Sequence, residues 1–332
     1  MSFYCSYLCM RIIVTGATGS LGAALTRYLS KRGHEVTGIG SSSNPPKELL
    51  KHAEYRSIDI RNPFDLPAAD LCIHTSSLND PSKTLEELIP INVEGTRNLV
   101  RAASHIEDLI HFSCSSVYLP QEDPIKEELA GNQDNELLSP LGKSKLMAED
   151  VIRKEFKGNS CIILRPSSLY GVGDSSFLPS FLEVIEREKP LNIPLQPVQV
   201  SMTNFDNINH VVLCAMESII PGIRVYNVSD PRPYAVNEAF DKFYSILSNK
   251  PNNVVRMSSE NWFKDFLVGG YENPANGMQN NLVLDTSRVS LEMNYESITD
   301  LNSRISHIKT WVASLGGAKA LKLSKSELSW AV

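Results

Sequence analysis

The chain has 332 residues, of which 42% are hydrophobic and 21% charged, with a formal net charge of −6. That composition suits a globular protein large enough for one α/β domain and a smaller lobe. The negative balance argues against a nucleic-acid footprint or a polybasic membrane patch, and no apolar run reaches the roughly 18 residues of a membrane span.

Residues 1–9 are mildly apolar, lack a basic leader and a small-residue cleavage site, and are expected to be a short extension rather than a signal peptide. Residues 12–15 then read as a buried parallel strand, followed at once by Gly16-x-x-Gly19-x-x-Gly22 and an amphipathic helix carrying Leu21, Ala24, Leu25, Tyr28 and Leu29. Gly16 permits the sharp turn, Gly19 lets backbone approach a pyrophosphate, and Gly22 allows close helix–strand packing. The free N–H groups and the positive end of the helix face the phosphates, so this stretch predicts nucleotide binding.

A second strand is expected over 35–39, ending at Gly40 and followed by Ser41-Ser42-Ser43-Asn44-Pro45-Pro46. An NAD-selective site places an acidic residue at this strand end. None is present, and the hydroxyls with Lys47 nearby favour a 2′-phosphate, hence NADP, with NAD as the alternative. Strands are expected over 55–60, 71–74, 109–112 and 161–164, with a long helix over 84–104 and another from about Ser139-Pro140. This alternation predicts a doubly wound parallel α/β sheet of Rossmann type with its ligand crevice at the strand ends. The dinucleotide-binding domain is assigned to 10–171 plus returning segments, a smaller interleaved C-terminal substrate lobe to about 172–315, and a tail to 316–332. The last clear helix is expected over 300–315.

The six cysteines (Cys5, Cys9, Cys72, Cys114, Cys161, Cys214) fit neither a disulfide framework nor a metal site. No metal is expected, and a reducing cytoplasm is the expected compartment.

Together these segments resemble the extended short-chain dehydrogenase/reductase superfamily, of the NAD-dependent epimerase/dehydratase kind, over nearly the whole chain. The resemblance is carried by the glycine entry, Asp59, His74, Asn92-Val93-x-Gly95-Thr96-x-Asn98-Leu99, Ser115-Ser116-Val117-Tyr118, Gly142-Lys143-Ser144-Lys145 and Arg165-Pro166-x-x-x-Tyr170-Gly171, then by residues 204–208 and 225–228. It implies cofactor contacts from Gly16, Thr18, Gly19, Ser20, Leu21 and Gly22, from Ser41 and Ser42, and from Asp59 and Ile60 at the adenine. It further implies contacts from Thr75, Ser76, Ser77, Asn92, Pro166 and Ser168, with Lys145 holding the nicotinamide ribose.

The chain departs from the family where the chemistry lies. The family's proton-transferring tyrosine stands four residues before the lysine, on one helical face with it, and here that position is Leu141. The helper hydroxyl four residues before the Val-Tyr tyrosine is replaced by Cys114, whose neighbours Ser113 and Ser115 are candidate substitutes. Losing a positioned acid/base typically costs about 10²–10⁴ in rate. Three readings follow: an oxidoreductase whose proton comes from Tyr118, Tyr170, Ser115, a water or the substrate; a catalytically silent dinucleotide sensor or partner subunit; or an elimination, isomerisation or cyclisation in the same pocket. Candidate catalytic residues are Lys145, Ser115, Cys114 and Tyr118.

Members acting on nucleotide sugars carry arginines that clamp a diphosphate. This chain has Val200-Ser201-Met202 and Gln279-Asn280-Asn281 at those places. Arg187, Arg224 and Arg232 either compensate or are solvated surface charges. The expected partner is therefore a less charged small molecule, polyketide-like, steroid-like or a free or lipid-linked sugar. Apolar stripes (Leu85, Leu88, Val93; Leu146, Val151, Ile152) suggest a homodimer or burial on the protomer's own sheet.

Overall fold

The computed structural model describes residues 9–186, 198–218, 220–248 and 281–332. Cys5, Arg187, Gln279 and Asn280 lie outside the described residues. The fold is built on a seven-stranded parallel sheet. Its first six strands are β1 (Arg11–Thr15), β2 (Glu35–Gly40), β3 (Glu54–Ser57), β4 (Leu71–His74), β5 (Asp108–Phe112) and β6 (Ser160–Pro166). Beyond them come β7 (Ser168–Tyr170), paired with β9 (Met202–Asn204), and β8 (Gln199–Val200), paired with β11 (Tyr234–Ala235). The seventh strand of the main sheet, β10 (Gly222–Val228), pairs with β6, giving the order β10-β6-β5-β4-β1-β2-β3. The order reverses between β1 and β4, and a crevice opens beyond their carboxyl ends, where doubly wound sheets hold their ligands.

The central strands β1, β4, β5 and β6 are short, mostly apolar runs buried on both faces, as parallel sheets require. One face packs Ile12, Val14, Ile73, Ile110 and Leu164 against Leu25 and Leu29 of α1 (Ser20–Ser30). The other packs Ile13, Cys72, Leu109 and Ile163 against Leu99, Val100 and Ile152.

The single long helix expected over 84–104 is instead two segments, α2 (Leu85–Asn92) and α3 (Glu94–Ala102), meeting at Val93 with φ −98°. Pro90 inside α2 has no N–H for the carbonyl one turn back, which bends the helix. A capping box of Thr84 and Glu87 starts α2. Helix α4 (Pro140–Glu155) begins as expected, with Ser139 accepting from the Gly142 N–H and Pro140 in the first turn. Leu88, Val93, Val151 and Ile152 are buried within the protomer, so these stripe residues give no argument for a dimer.

The second half of the chain contributes α5 (Phe177–Glu186), α6 (Phe205–Glu217), α7 (Val236–Leu247) and the helix Leu301–Ser314, capped by Asp300. Where the sheet core is aliphatic, this lobe is closed by aromatic edge contacts among Phe177, Phe181, Phe240 and Phe243.

Residues 316–332, expected as a tail, are folded. A 3-10 turn (Ala318–Lys322) leads into a helix (Lys325–Trp330) with its own capping box, Ser324 and Glu327. Trp330 is buried against Ala17, Ala23 and Leu49, and its indole N–H donates to the Ala17 carbonyl at 3.0 Å. No helix among the described residues is long and apolar enough to cross a membrane.

Candidate active site

At the sheet's switch point β1 runs into the glycine turn. Gly16 has φ +74°, and a Cβ there would lie 2.7 Å from the Thr75 hydroxyl and 2.9 Å from the Ser76 nitrogen. A Cβ on Gly22 would lie 2.2 Å from the Gly16 carbonyl oxygen. Both positions demand glycine on steric grounds. Gly19 caps α1 with no side-chain hydrogen bond, and α1 carries no acidic residue in its first turn, so the first-turn N–H groups face the crevice as an anion site. Residues 16–22 therefore fit the diphosphate of a dinucleotide.

One cleft of about 700 Å³ runs from this turn in both directions. Of the residues expected to touch cofactor, it is lined by Gly16, Thr18, Gly19, Ser20, Leu21, Gly22, Ser41, Asp59, Ile60, Thr75, Ser76, Ser77, Lys145, Pro166 and Ser168. Ser42 and Asn92 do not line it. The Ser42 hydroxyl is turned to Asn44, donating to its carbonyl and accepting from its N–H. Asn92 is buried behind the cleft, where it accepts from the Leu78 N–H and donates to the Leu78 carbonyl and the Ser144 hydroxyl. It ties the loop after β4 to α4.

Toward Ser41, Asp59 accepts from the Arg61 Nε and Nη2, and this pairing holds its carboxyl below the usual range. Arg61 also lines the cleft. Lys47 is exposed and does not line it.

The other end is made by the loop after β5 and the first turns of α4. A Cβ on Gly142 would lie 2.0 Å from the Ser116 carbonyl oxygen, so glycine alone lets the helix come this close. The approach places Leu141 and Lys145 beside Ser113, Cys114, Ser115 and Ser116, all lining the cleft. Lys145 is buried and its ammonium donates to the Phe112 carbonyl at 3.5 Å. Burial lowers its pKa from the usual lysine value; the Cys114 and Glu149 charges act the other way. Leu141 faces the cleft one turn away with no group able to carry a proton.

Neither tyrosine considered as a substitute acid reaches the cleft. Tyr118 is fully buried, donates to Asn227 Oδ1 at 2.7 Å and accepts from Arg165 Nη1 at 2.6 Å. Arg165 is held in turn by a two-point ion pair with Glu149, at 2.8 and 2.6 Å. Tyr170 donates to Asp230 Oδ2 at 2.6 Å. Burial raises both phenols well above 10, so they are committed to the fold.

Below this end the His74 and His111 rings lie tilted by 33° with centroids 5.2 Å apart. His74 shares hydrogen bonds with the Thr15 and Thr96 hydroxyls, whereas both ring nitrogens of buried His111 have no partner among the described residues. Burial pushes the His111 imidazole down to about 3.

The outer wall is largely apolar, with Leu78, Pro81, Ile91, Leu169, Phe177 and Phe205. Arg224 and Arg232 do not line the cleft; Arg232 pairs with Glu238 at 2.9 Å. Sequence reasoning did not anticipate Arg61, Asp174, Ser175, Ser180, Lys325 or the apolar residues of this wall as parts of the cleft. The spacing Ser324-x-x-Glu327 was the available signal for Lys325.

The pattern of the family described as NAD dependent epimerase/dehydratase matches residues 12–204. Uncharacterized protein YbjS of Escherichia coli (strain K12) is 24% identical, over 92% of this chain and 99% of its own. A 3-beta-hydroxysteroid dehydrogenase of Mycolicibacterium neoaurum is 25% identical over 67% of this chain and 66% of its own. Among solved structures, UDP-glucuronic acid 4-epimerase from Bacillus cereus in complex with NAD superposes with a TM-score of 0.71, at 21% identity over 92% of this chain and 99% of that one.

Proposed function

This chain belongs to the NAD dependent epimerase/dehydratase family, and on that premise we propose that it is a nicotinamide-dinucleotide oxidoreductase acting on the carbonyl or hydroxyl of a small, weakly charged, apolar metabolite. The observation that carries this reading is the composition of one cleft. A glycine turn open to a diphosphate and a buried lysine share it with an apolar outer wall that, among the described residues, contains no arginine. A diphosphate-bearing sugar calls for guanidinium groups there. The hydroxysteroid named for one relative is a substrate of the apolar kind. NADP is the proposed cofactor, supported by Gly40 and Ser41 standing where an NAD-selective carboxylate would. The free thiols Cys72, Cys161 and Cys214, all buried, support a reducing cytoplasm.

A bound nicotinamide would supply the hydride chemistry at this end of the cleft. The chain's own residues do the rest. Ser115 and Cys114 hold the substrate oxygen. Lys145, its pKa lowered by burial, delivers an ammonium proton to it, because Leu141 carries none and both tyrosines are held elsewhere. The apolar wall excludes water from the transfer.

Purified protein, given NADPH and a panel of hydrophobic ketones, should oxidise the dinucleotide at rates at least tenfold above those with UDP-sugars. Equal or greater activity on UDP-sugars would reverse the substrate reading. Leu141 favours one other outcome: saturable dinucleotide binding with no turnover on any of these compounds would mark a sensor or partner subunit instead.

A further inference from the structure

We propose that Lys325, carried by the C-terminal segment, is a ligand for the diphosphate of the dinucleotide. This rests on the cofactor reading above and assigns to the segment 318–330 a role in the binding site itself.

The segment is fixed to the phosphate end of the cleft. The Arg27 guanidinium of α1 donates to the Ser329 carbonyl at 2.6 Å and lies over the Trp330 ring at 5.1 Å. The Ser329 hydroxyl donates to the Ser175 hydroxyl at 2.8 Å, and that hydroxyl shares a 2.7 Å hydrogen bond with Ser20, the first residue of α1. Lys325 stands one helical turn before Ser329, about 6 Å along the axis, which is within the span of a lysine side chain. The segment that carries it is anchored at the first turn of α1 through Ser329, Ser175 and Ser20, rather than at the Asp59 end or the Lys145 end, which selects the diphosphate among the parts of the ligand.

Charge points the same way. Among the described residues, the cleft's lining holds three cations: Arg61, Lys145 and Lys325. Arg61 is bound to Asp59, and Lys145 is buried at the far end. Lys325 lines the same cleft, is exposed, and forms no ion pair with a described residue. Its charge is felt by Asp80, whose carboxylate is taken up by the N–H and hydroxyl of Ser82. The glycine turn offers only N–H dipoles to a doubly charged group, and a full positive charge on the facing wall completes the cradle.

The test is calorimetric titration of wild type, Lys325→Gln and Lys325→Arg with ADP-ribose, which contains the diphosphate, and with adenosine, which does not. Lys325→Gln should weaken ADP-ribose by about 5–20-fold, with the loss shrinking as salt is raised, while adenosine binding stays unchanged and Lys325→Arg stays near wild type. Equal ADP-ribose affinity in Lys325→Gln and wild type overturns the proposal while leaving the cofactor reading intact. A loss shared equally by adenosine also overturns it. A wild type that binds no ADP-ribose overturns the cofactor reading, and this proposal with it.

Discussion

The two ends of the cleft are built on different principles. At the glycine-turn end the cleft is shaped mainly by backbone, and the sequence has little freedom: a Cβ on Gly16 or Gly22 would collide with Thr75 or with the turn itself. At the Lys145 end the backbone is just as tightly set, with Gly142 pressed on Ser116, but the groups facing the cleft are side chains. There a leucine occupies the helical position one turn before the lysine without disturbing α4 or the loop it packs on. Backbone-made binding tolerates no substitution, whereas side-chain chemistry can be exchanged while the scaffold stands. Lys145 stays buried between Leu141 and the Glu149–Arg165 pair.

The largest expected effect breaks the first end and leaves the second alone. Gly19 has φ −93°, and a Cβ there would meet only the Gly16 oxygen at 3.5 Å, so Gly19→Asp should fold normally. Its carboxylate would stand where phosphate charge belongs, and dinucleotide affinity should fall by about 100-fold or more. Calorimetry with NADPH, beside a melting curve matching wild type, checks this. Retained affinity would mean that the turn is not the phosphate site.

A smaller effect sharpens the comparison from beneath the other end. His111 is neutral in the folded protein, with its pKa lowered to about 3, against about 6.5 when unfolded. Between those values the unfolded chain binds the extra proton, so this contribution to stability is intact above pH 6.5 and is lost as pH falls toward 3. The slope is up to about 1.4 kcal/mol per pH unit. Denaturant midpoints measured from pH 7 to pH 4 should fall less steeply in His111→Phe than in wild type, because the unfolded variant has no imidazole there to take up the proton and neither ring nitrogen gives up a hydrogen bond among the described residues. Identical slopes would show that His111 is not the acid-sensitive group.

What could be read from the chain follows the same division. The strand–glycine–helix entry, the parallel alternation and the start of α4 were legible because steric rules and caps fix them locally. The break at Val93 was not, although Pro90 was in plain view, since the apolar periodicity runs through it. Tyr118 and Tyr170 looked available because spacing says nothing about partners. Only the assembled fold brings Arg165, Asn227 and Asp230 to their hydroxyls. The C-terminal helix was missed because its anchors, Arg27 and Ala17, lie about three hundred residues away in sequence. Ser42 and Asn92 matched the family pattern in position, yet their side chains serve the loop and the helix joint instead of the cleft.

The central claim is that the proton comes from Lys145 now that position 141 cannot give one. The pH dependence of kcat in wild type and Lys145→Arg tests it most directly, with dinucleotide affinity measured in parallel. An acid must be protonated to donate, so wild-type kcat should fall as pH rises through a pKa below the usual 10.4 or so of lysine. In Lys145→Arg that alkaline limb should vanish and kcat should drop by about 10²–10⁴, while NADPH affinity stays within a few-fold because the positive charge is kept. An arginine variant that keeps both the wild-type rate and the same alkaline limb would contradict the account.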